Sequence, residues 1–424
     1  MIRRLLREGD VATWRRRARP RMEEVMKITG RSLLFVGYGG GHMRMLVPVA
    51  RALRARGADV TLLPLNVGIA DAKASGLPCL SLSRLVEDWP DVDRIARLGA
   101  SVAPVSGHPA MSDHDTHIYH GIGLSDLIET EGEAEARAHF AVEGRRAFHP
   151  VRSMSRALEQ LAPDLVIATS APRAESAALV AARATGRACL CVSDHFLLYE
   201  MDYVCRAGHG DRITVLCAPV AEALRRAGRP AREIRVTGNP AFDGLADPGH
   251  RTAARAWREA AGWMDNRVIL WPQQLASTLV RDKPLLPSSA IGPALRAALD
   301  ADTSLRLVVR PHPSAPDEGF GAPDDRVRLE RDAPIETLIH AADLVVQQSS
   351  TVGLQAALCG KPVITIGNRG IPPLAEYGLA MDIDRPDDLV SAVGATMRPD
   401  LSGLNVPPLG AAAESVADVA EELL

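Results

Sequence analysis

The sequence predicts an α/β protein built of two doubly wound domains in tandem. Short apolar runs alternate with segments of helical periodicity between residues 31 and 237, and the same alternation returns after residue 262. The runs are apolar almost throughout, which is typical of parallel strands buried on both faces. A polar stretch with glycine and proline, residues 238–250, separates the two series and is the expected linker.

Five short strand-like runs with their loops predict the first domain. Residues 32–36 are an apolar run that ends in a glycine loop, residues 45–56 have helical periodicity, and residues 58–63 form the next strand. A strand, a glycine loop, a helix and a strand in this order indicate a parallel, Rossmann-like sheet. Further strands are expected at residues 164–168, 188–192 and 234–237.

The second domain follows from runs at residues 267–271, 305–309, 343–346 and 362–366. We therefore expect Rossmann-like domains over residues 29–240 and 250–405, and a C-terminal helix over residues 406–424 that packs back. In open parallel sheets, ligands bind beyond the carboxyl ends of the strands. With two such domains we expect them to face each other across a cleft that holds the ligand.

The composition is that of a globular protein and excludes several classes. The chain has 424 residues, 49 basic and 52 acidic side chains, a net charge of −3 and 46% hydrophobic residues. Nucleic-acid-binding proteins usually carry a strong basic excess, so we expect no nucleic acid partner. No apolar stretch reaches the roughly 18 residues that cross a bilayer. Six scattered cysteines without a C-x-x-C pair predict reduced thiols in a cytoplasmic protein.

Residues 1–28 form a basic segment with nine arginine or lysine residues against four acidic ones. Apolar residues recur in it at roughly helical spacing. Such a segment can rest on an anionic membrane surface, which would make the protein peripheral on the inner face of the membrane. A solvated leader is the alternative.

The glycine loop after the first strand contains Gly39, Gly40 and Gly41, followed by His42. Glycines let backbone N–H groups approach a ligand, but they also permit tight packing of a strand against a helix. His42 stands in place of the third glycine of a G-x-G-x-x-G motif, and no acidic residue ends the second strand. A nicotinamide dinucleotide site is therefore disfavoured.

Two loops of the second domain predict an anion site, and a third predicts a nucleobase contact. Arg310 and His312 follow its second strand within an Arg-Pro-His-Pro sequence, where flanking prolines favour an extended chain. Ser349, Ser350 and Thr351 precede a helix, where a hydroxyl can cap the helix and free N–H groups can bind a phosphate. A further helix starts near Asp332 and Ile335, whose backbone groups we expect to bind a nucleobase.

These motifs resemble the GT-B superfamily of glycosyltransferases and UDP-N-acetylglucosamine 2-epimerases, over most of residues 31–400. Residues 39–42 are similar to the N-terminal loop of MurG-like transferases. Residues 236–243, Val-Thr-Gly-Asn-Pro-Ala-Phe-Asp, are similar to the segment that joins the two domains in the epimerases. The His-Pro pair at His312 and the serine pair at Ser349 are similar to motifs of sialyl-, Kdo- and CDP-glycerol transferases.

The resemblance implies that residues 29–240 bind the acceptor and that residues 250–405 bind a nucleotide-sugar donor. Arg310, His312 and residues 349–351 would then hold the donor phosphates. Two departures from the family pattern matter. Gln355 stands where transferases commonly have a glutamate that holds the donor ribose, and Thr-Ser-Ala-Pro-Arg at residues 169–173 replaces the His-Gly-Asp stretch of the epimerases.

Sugar transfer also needs a base for the acceptor hydroxyl. The candidates are His42, Asp113 and His195. Six of the 12 histidines fall between His108 and His149, but neither these nor the scattered D-x-D triplets have a recognised metal-ligand spacing. We therefore expect no metal and no cofactor besides the nucleotide-sugar substrate.

The sequence thus predicts a glycosyltransferase of bacterial envelope glycan or glycoconjugate synthesis, GT-B in fold and independent of metal. The donor nucleotide is left open between UDP, CMP and CDP. Two alternatives stand beside it. One is an epimerase or hydrolase of UDP-N-acetylhexosamine, and the other is a GT-B-like protein that binds without catalysis.

Overall fold

The chain divides into two compact units. The computed structural model describes residues 28–66, 68–104, 111–274, 279–280, 283–312, 324–367 and 372–424. The N-terminal unit comprises the described residues up to Ala241 together with Ala411–Leu424, and the second unit is Phe242–Gly410. The domain boundaries expected from the sequence were 29–240 and 250–405. The basic segment lies outside the described residues, except for Ile28.

The N-terminal unit contains a six-stranded parallel sheet in the order β2-β1-β3-β4-β5-β6. Its strands are β1 (Ser32–Gly37), β2 (Asp59–Pro64), β3 (Leu165–Thr169), β4 (Ala188–Val192), β5 (Arg212–Val215) and β6 (Ile234–Val236). Its helices, in chain order from α1 to α10, are Gly40–Ala55, Gly68–Ala74, Leu82–Val86, Val92–Ala100, Asp113–Glu131, Glu133–Glu143, Val151–Leu161, Ala174–Ala184, Met201–Val204 and Ala218–Arg226.

The second unit repeats this architecture with the strand order β11-β10-β7-β12-β13-β14, again parallel throughout. Its strands are β7 (Arg267–Pro272), β10 (Leu305–Arg310), β11 (Val327–Leu329), β12 (Leu344–Gln347), β13 (Val363–Ile366) and β14 (Met381–Ile383), and β8 (Leu279–Val280) pairs only with β9 (Lys283–Pro284). Its helices α11 to α15 are Pro248–Ala261, Ser288–Ala301, Ile335–Ala341, Thr351–Leu358 and Leu389–Gly394. Two doubly wound parallel sheets in one chain, the predicted fold class, are confirmed.

One predicted boundary is wrong. The sequence placed Gly40, Gly41 and His42 in a loop before a helix that starts at residue 45. In the structure α1 already starts at Gly40, and Gly39 is its N-cap residue in an extended conformation. His42 therefore lies in the first turn of α1, directly beyond the carboxyl end of β1. A short helical turn can accommodate two glycines because neighbouring contacts outweigh their low helix propensity.

The last helix, α16 (Ala412–Glu421), belongs to the N-terminal unit although it follows the second unit in the chain. It packs on α1 and buries Val416, Ala417, Val419 and Ala420 in the same apolar cluster as β1 and β3. Arg56, at the end of α1, pairs with Glu414, Asp418 and Glu421 along α16. The chain thus returns to the first unit to complete its core.

Sheet topology locates the places where a ligand can bind. In the N-terminal unit the order of strands reverses between β1 and β3, and in the second unit it reverses between β7 and β12. At such a point the loops diverge to opposite faces and leave a crevice at the carboxyl edge. In the described part of the chain, none of the helices has the length and apolar composition that crossing a bilayer requires.

Candidate functional site

A completely buried carboxylate occupies the crevice of the N-terminal unit. Glu175 lies in the first turn of α8, where the helix dipole favours a negative charge, and its side chain is 0% exposed. Its Oε1 atom accepts from the backbone N–H of Tyr38 at 2.7 Å and from the hydroxyl of Thr169 at 3.4 Å. Nδ1 of His42 lies 3.1 Å from the same oxygen. Glu175 therefore joins the ends of β1 and β3 to the start of α1.

These bonds decide which nitrogen of His42 carries the proton. Because the N–H of Tyr38 and the hydroxyl of Thr169 both donate to Oε1 of Glu175, that oxygen is an acceptor, and Nδ1 of His42 must donate to it. In the neutral ring the Nε2 atom is then the acceptor. His42 is thus held in the tautomer that a general base needs.

The surroundings of His42 raise its pKa above the ordinary value. Burial acts to lower this pKa, but the hydrogen bond and the charge of Glu175, with the charges of Asp194 and Glu200, outweigh it. A base works best when its pKa lies near the working pH. The neighbouring carboxylates therefore increase the affinity of the His42 ring for a proton.

The loop after β4 places His195 in the same electrostatic field. Oδ1 of Asp194 lies 2.5 Å from Nδ1 of His195, and the backbone N–H of Asp194 donates to Ser170 after β3. Burial acts to raise the pKa of Asp194, but His195 and His42 hold it below its usual range. His195 and Leu197 have positive φ angles of 33° and 55°, a strained backbone of the kind that is concentrated at functional sites.

Glu200, a few residues further along this loop, has a raised pKa. Burial is the main cause, and the charge of Asp194 adds to it. Two of the predicted bases, His42 and His195, thus share a site with Glu175, Asp194 and Glu200. This arrangement can accept and return a proton, because it combines a fixed imidazole with carboxylates of different proton affinity.

The third predicted base, Asp113, is not brought into this site by any contact found among the described residues. It lies exposed in the first turn of α5. Its neighbour Asp115 makes the structural contacts there, accepting from the backbone N–H of Ser83 and from the hydroxyl of Ser112. Asp113 stays a prediction without geometric support.

The histidine-rich region does not assemble a metal site in the part that the structure describes. His108 lies outside the described residues. Nδ1 of His120 is 2.9 Å from the carbonyl oxygen of Thr116, and Nδ1 of His139 is 3.1 Å from Glu131. Across the described residues no group of three or more histidine, cysteine, aspartate or glutamate side chains is arranged to hold a metal ion.

In the second unit, the serine pair lies at the N-terminus of α14. Oγ of Ser350 accepts from the backbone N–H of Val352 at 3.2 Å, so this residue is the N-cap. The backbone N–H groups of Ser349 and Ser350 donate to the side-chain oxygens of Gln274 and Gln347, at 2.7 and 2.5 Å. Glutamine oxygens therefore occupy two of the N–H groups that were expected to bind a phosphate. The hydroxyls of Ser349, which is half-buried, and of Thr351, which is exposed, lie beside this turn.

His312 lies at the same edge of the second sheet. It follows β10 by two residues, Ser349 follows β12 by two residues, and β7 runs between these strands. Neighbouring strands are about 4.8 Å apart, so the ends of β10 and β12 are about 10 Å apart. His312 is half-buried, and burial lowers its pKa. Burial thus favours the uncharged imidazole, which has one N–H group that can donate to an anion.

The structure assigns Arg310 a different contact from the one expected. Its NH1 group donates to the carbonyl oxygens of Glu330 and Ala333, at 3.2 and 3.0 Å. The carboxylate of Glu330 in turn accepts from the backbone N–H groups of Asp332 and Ala333 and from the indole of Trp257. Arg310 therefore holds the loop before α13 in place, and the geometry does not support a phosphate contact through NH1.

The remaining predicted residues lie near this edge in different environments. Asp332 is exposed, and Ile335 is half-buried at the start of α13. Gln355 is 8% exposed on α14, one turn beyond Thr351. The backbone around Asp332 is ordered by Glu330, so the carbonyl and N–H groups of this loop have fixed directions.

Several solved structures are similar to this chain. Similar structures include UDP-GlcNAc 2-epimerases from Methanocaldococcus jannaschii (15% identity, TM-score 0.57, 92% of this chain and 99% of that chain) and, bound to UDP-GlcNAc, from Neisseria meningitidis (13%, 0.55, 91% and 98%). The glycosyltransferase of kitacinnamycin is also similar (16%, 0.53, 93% and 95%). The chain has the GT-B fold. No protein-family model and no curated protein sequence matches it.

Sequence reasoning missed the residues that organise both edges of this GT-B chain. Glu175 was one acidic residue in an alanine-rich helix, and Gln274 followed an apolar strand without any motif. One signal for Glu175 was available. An acidic residue two positions into a buried helix, directly after a buried strand, needs partners at the ligand edge.

Proposed function

We propose that this protein is a glycosyltransferase that moves a sugar from a nucleotide-activated donor to a hydroxyl group, with His42 as the base. The observation that carries the proposal is the bond from Nδ1 of His42 to the buried Glu175. It leaves Nε2 as the proton acceptor and raises the affinity of the ring for a proton. The GT-B fold adds support, since similar structures are enzymes of UDP-sugars and a glycosyltransferase.

In the proposed reaction, the N-terminal unit provides the base and the second unit provides donors for the leaving phosphate. The acceptor hydroxyl gives its proton to Nε2 of His42 while its oxygen bonds to the anomeric carbon of the donor sugar. The bond from that carbon to the nucleotide phosphate breaks, and the phosphate leaves with the electron pair. His312 and the hydroxyls of Ser349 and Thr351 are the donors that would stabilise this charge. The proposal assigns no step to a metal ion, and it places the product in bacterial envelope glycans or glycoconjugates.

A second candidate is an epimerase or hydrolase of a UDP-N-acetylhexosamine. The observation that favours it is the grouping of Glu175, Asp194 and Glu200 around His42. An imidazole with several carboxylates can move protons on one substrate, or activate water, without an acceptor. Two of the similar structures are UDP-GlcNAc 2-epimerases.

The test begins with binding and continues with products. We expect at least one of the UDP-, CMP- or CDP-sugars to raise the midpoint of thermal unfolding, because ligands that bind only the native state stabilise it. Product analysis then separates the candidates. A transferred sugar that requires an acceptor supports the transferase, and an altered or free sugar without an acceptor supports the epimerase or hydrolase.

Variants link the result to the site. His42→Gln keeps a polar side chain and removes the base, and His139→Gln is the matched control, since His139 is an exposed histidine beside a glutamate. Turnover lost in His42→Gln and kept in His139→Gln supports the proposal. Binding without turnover across a broad acceptor panel would instead indicate a protein that only binds, and indifference to every nucleotide sugar would refute nucleotide-sugar chemistry.

A further inference from the structure

Four polar side chains meet at the carboxyl edge of the N-terminal sheet, beside the candidate base. Tyr38 directly follows β1, Asn66 follows β2 by two residues, and Arg173 lies in the loop between β3 and α8. These strands are neighbours in the order β2-β1-β3. The fourth side chain, Arg145, comes from the short 3₁₀ turn Gly144–Ala147 after α6. The cluster thus lies at the edge where sheets of this kind bind ligands.

The hydroxyl of Tyr38 is the centre of this cluster. Its oxygen accepts from Nδ2 of Asn66 at 2.7 Å and from NH1 of Arg145 at 2.8 Å. A phenol oxygen that accepts two hydrogen bonds still carries its own proton. No acceptor for that proton is found in the part of the chain that the structure describes. Tyr38 is half-buried, so its hydroxyl is a fixed donor that is available to a ligand.

Asn66 reaches this hydroxyl from an unfavourable backbone conformation. Its φ angle is +97°, in the region that favours glycine, and the residue is 8% exposed. Positive φ angles are uncommon in residues other than glycine, and such strain is concentrated at functional sites. The amide of Asn66 therefore helps to fix the Tyr38 hydroxyl at a cost in backbone energy.

Two guanidinium groups are held on the same tyrosine. Arg145 donates to the hydroxyl of Tyr38, and the guanidinium carbon of Arg173 lies 4.6 Å from the centroid of its ring. A cation–π contact of this kind holds a guanidinium group without neutralising its charge. Burial raises the pKa of the neighbouring Tyr119, and the charges of Arg173 and Arg145 oppose this rise. Both positive charges therefore act on the same small region.

The two charges have no acidic partner within the described ranges of the chain. Neither Arg145 nor Arg173 forms an ion pair with a carboxylate there. Arg156 of α7 provides the contrast. Its guanidinium carbon lies 4.1 Å from the centroid of Trp89, but its NH1 group is 2.6 Å from Oδ1 of Asp91. An arginine on an aromatic ring thus keeps a carboxylate partner in α7 and lacks one at Tyr38.

Tyr38 also connects the cluster to the candidate base. Its backbone N–H donates to Oε1 of Glu175, the atom to which Nδ1 of His42 is bonded. Glu175 acts on Tyr119 in the opposite sense to the arginines. The backbone of Tyr38 therefore supports the Glu175–His42 pair, while its side chain holds both guanidinium groups.

We propose that this cluster, Tyr38 with Arg145 and Arg173, binds an oxyanion of the acceptor substrate, either a carboxylate or a phosphate. The hydroxyl and the guanidinium N–H groups donate to its oxygens, and the planar guanidinium group matches the geometry of both oxyanions. A bound anion also reduces the repulsion between the two like charges. The proposal rests on the proposed function, because it assigns an acidic acceptor whose hydroxyl group reaches His42.

The experiment compares two matched pairs of probes by ligand-observed NMR titration of the full chain. One pair is methyl glucuronoside and methyl glucoside, and the other is glucose 6-phosphate and glucose. We expect the charged member of at least one pair to bind about 10-fold more tightly, the effect of one hydrogen bond to a charged group. Preference in the first pair identifies a carboxylate site, and preference in the second pair identifies a phosphate site. Either result supports the proposal.

Variants connect that preference to the cluster. Arg145→Gln and Arg173→Gln each remove one guanidinium group. Tyr38→Phe removes only the hydroxyl and keeps the backbone N–H. Each should reduce the preference about 3- to 10-fold, the range of one hydrogen bond. Arg145 is exposed, so its variant keeps the test open if Tyr38→Phe fails to fold.

Arg146→Gln is the matched control. Arg146 is exposed, is adjacent to Arg145, and makes no hydrogen bond or ion pair with any residue that the structure describes. The substitution removes the same charge from the same turn, and it should leave the preference unchanged. An equal loss in Arg146→Gln and Arg145→Gln would show a general attraction of anions to a basic surface and would overturn the proposal.

Three further results would also overturn it: no binding of either charged probe, equal binding within both pairs, or a preference that survives in all three variants of the cluster. The nucleotide sugars test the proposed function separately. If they bind and are turned over while neither charged probe is preferred, the anion-site proposal alone fails. If a charged probe is preferred and no nucleotide sugar binds, the anion site is supported and the proposed function fails.

Discussion

Nδ1 of His42 lies 3.1 Å from Oε1 of Glu175, a side chain with no exposure to solvent. A buried carboxylate needs hydrogen-bond donors, and here the backbone of Tyr38, the hydroxyl of Thr169 and the imidazole all reach Oε1, while Oε2 is buried without a partner among the described residues. The pair therefore fixes the ring of His42, whose side chain as a whole is 24% exposed. Such a ring combines a rigid orientation with access for a substrate.

Glu175→Gln should lower the pKa of His42 below its ordinary value. In the wild type, burial depresses this pKa, and Glu175 is the main group that overcomes the effect. An amide keeps the shape of the side chain but removes its charge, so burial should then dominate. NMR titration of the imidazole measures the change. Glu131→Gln, beside the exposed His139, is the control, and an unchanged titration of His42 in Glu175→Gln would contradict the assignment.

The same substitution should move the pH profile of turnover. If neutral His42 takes the proton, kcat/KM rises with pH through its pKa, and the acidic limb in Glu175→Gln should move to lower pH. His42→Gln should lower kcat by about 10²- to 10⁴-fold, the usual contribution of a general base. The profile is measured with the donor and acceptor that give product. If the acidic limb of the kcat/KM profile does not move in Glu175→Gln, a group other than His42 accepts the proton.

Acidification should destabilise the N-terminal unit through His209. This residue is 5% exposed, its Nε2 atom has no partner, and burial, then the charge of Arg229, lowers its pKa to about 4. In the unfolded chain the value is about 6.5. The unfolded state therefore binds more protons, and stability that is complete above pH 6.5 falls by about 2 kcal/mol at pH 5.

His209→Phe should remove this loss and keep an aromatic ring against Tyr203, whose centroid lies 5.4 Å away. The measurement is urea unfolding of the N-terminal unit at pH 7 and pH 5. The difference between the two pH values should shrink by about 2 kcal/mol in the variant and stay unchanged in His139→Gln. Equal losses in His209→Phe and in the wild type would exclude His209 as the cause.

The two neighbouring serines of the second unit should respond differently to alanine. Ser350 caps α14, so Ser350→Ala should lower the free energy of unfolding of this unit by about 1 kcal/mol. The hydroxyl of Ser349 has no such task, and Ser349→Ala should instead weaken the binding of UDP or CDP about 3- to 10-fold. Urea unfolding and titration calorimetry measure the two effects. A loss of stability in Ser349→Ala together with weaker nucleotide binding in Ser350→Ala would contradict the assignment.

Val416→Ala should destabilise the N-terminal unit, although residue 416 follows the whole second unit in the chain. Val416 is 0% exposed within the cluster that contains α1 and β1. Removal of its two methyl groups should cost about 1.5–3 kcal/mol. Hydrogen exchange of α1 amides reports this loss, and Val390→Ala, at a residue 39% exposed on α15, is the control. Loss of protection confined to the second unit would refute the packing.

The fold could be predicted because long apolar strands carry a strong signal. The strands that end at residues 37, 169 and 192 are buried in the structure, apart from the half-buried first residues Ser32 and Ala188. Strands β5, β11 and β14 were missed because they are three or four residues long and contain arginine or aspartate. Such strands form because a neighbouring strand provides their hydrogen bonds, and a local pattern does not show that neighbour.

The candidate site was predictable only where a residue followed a recognisable strand. His42, His195, His312 and Ser349 do so, and the structure places them at the carboxyl edges of the two sheets. The partners of these residues are far away in sequence: Glu175 is 133 residues from His42, and Gln274 is 75 residues from Ser349. The contact of Arg310 with a loop 20 residues later was equally invisible. Pairings of this kind depend on topology rather than on spacing along the chain.

The return of α16 to the N-terminal unit has a consequence for biosynthesis. A ribosome releases residues 242–410 before it releases the helix that covers α1, so the second unit can finish folding while the first still exposes an apolar face. The half that is translated first closes last, and until then its uncovered helix is a natural target for a chaperone.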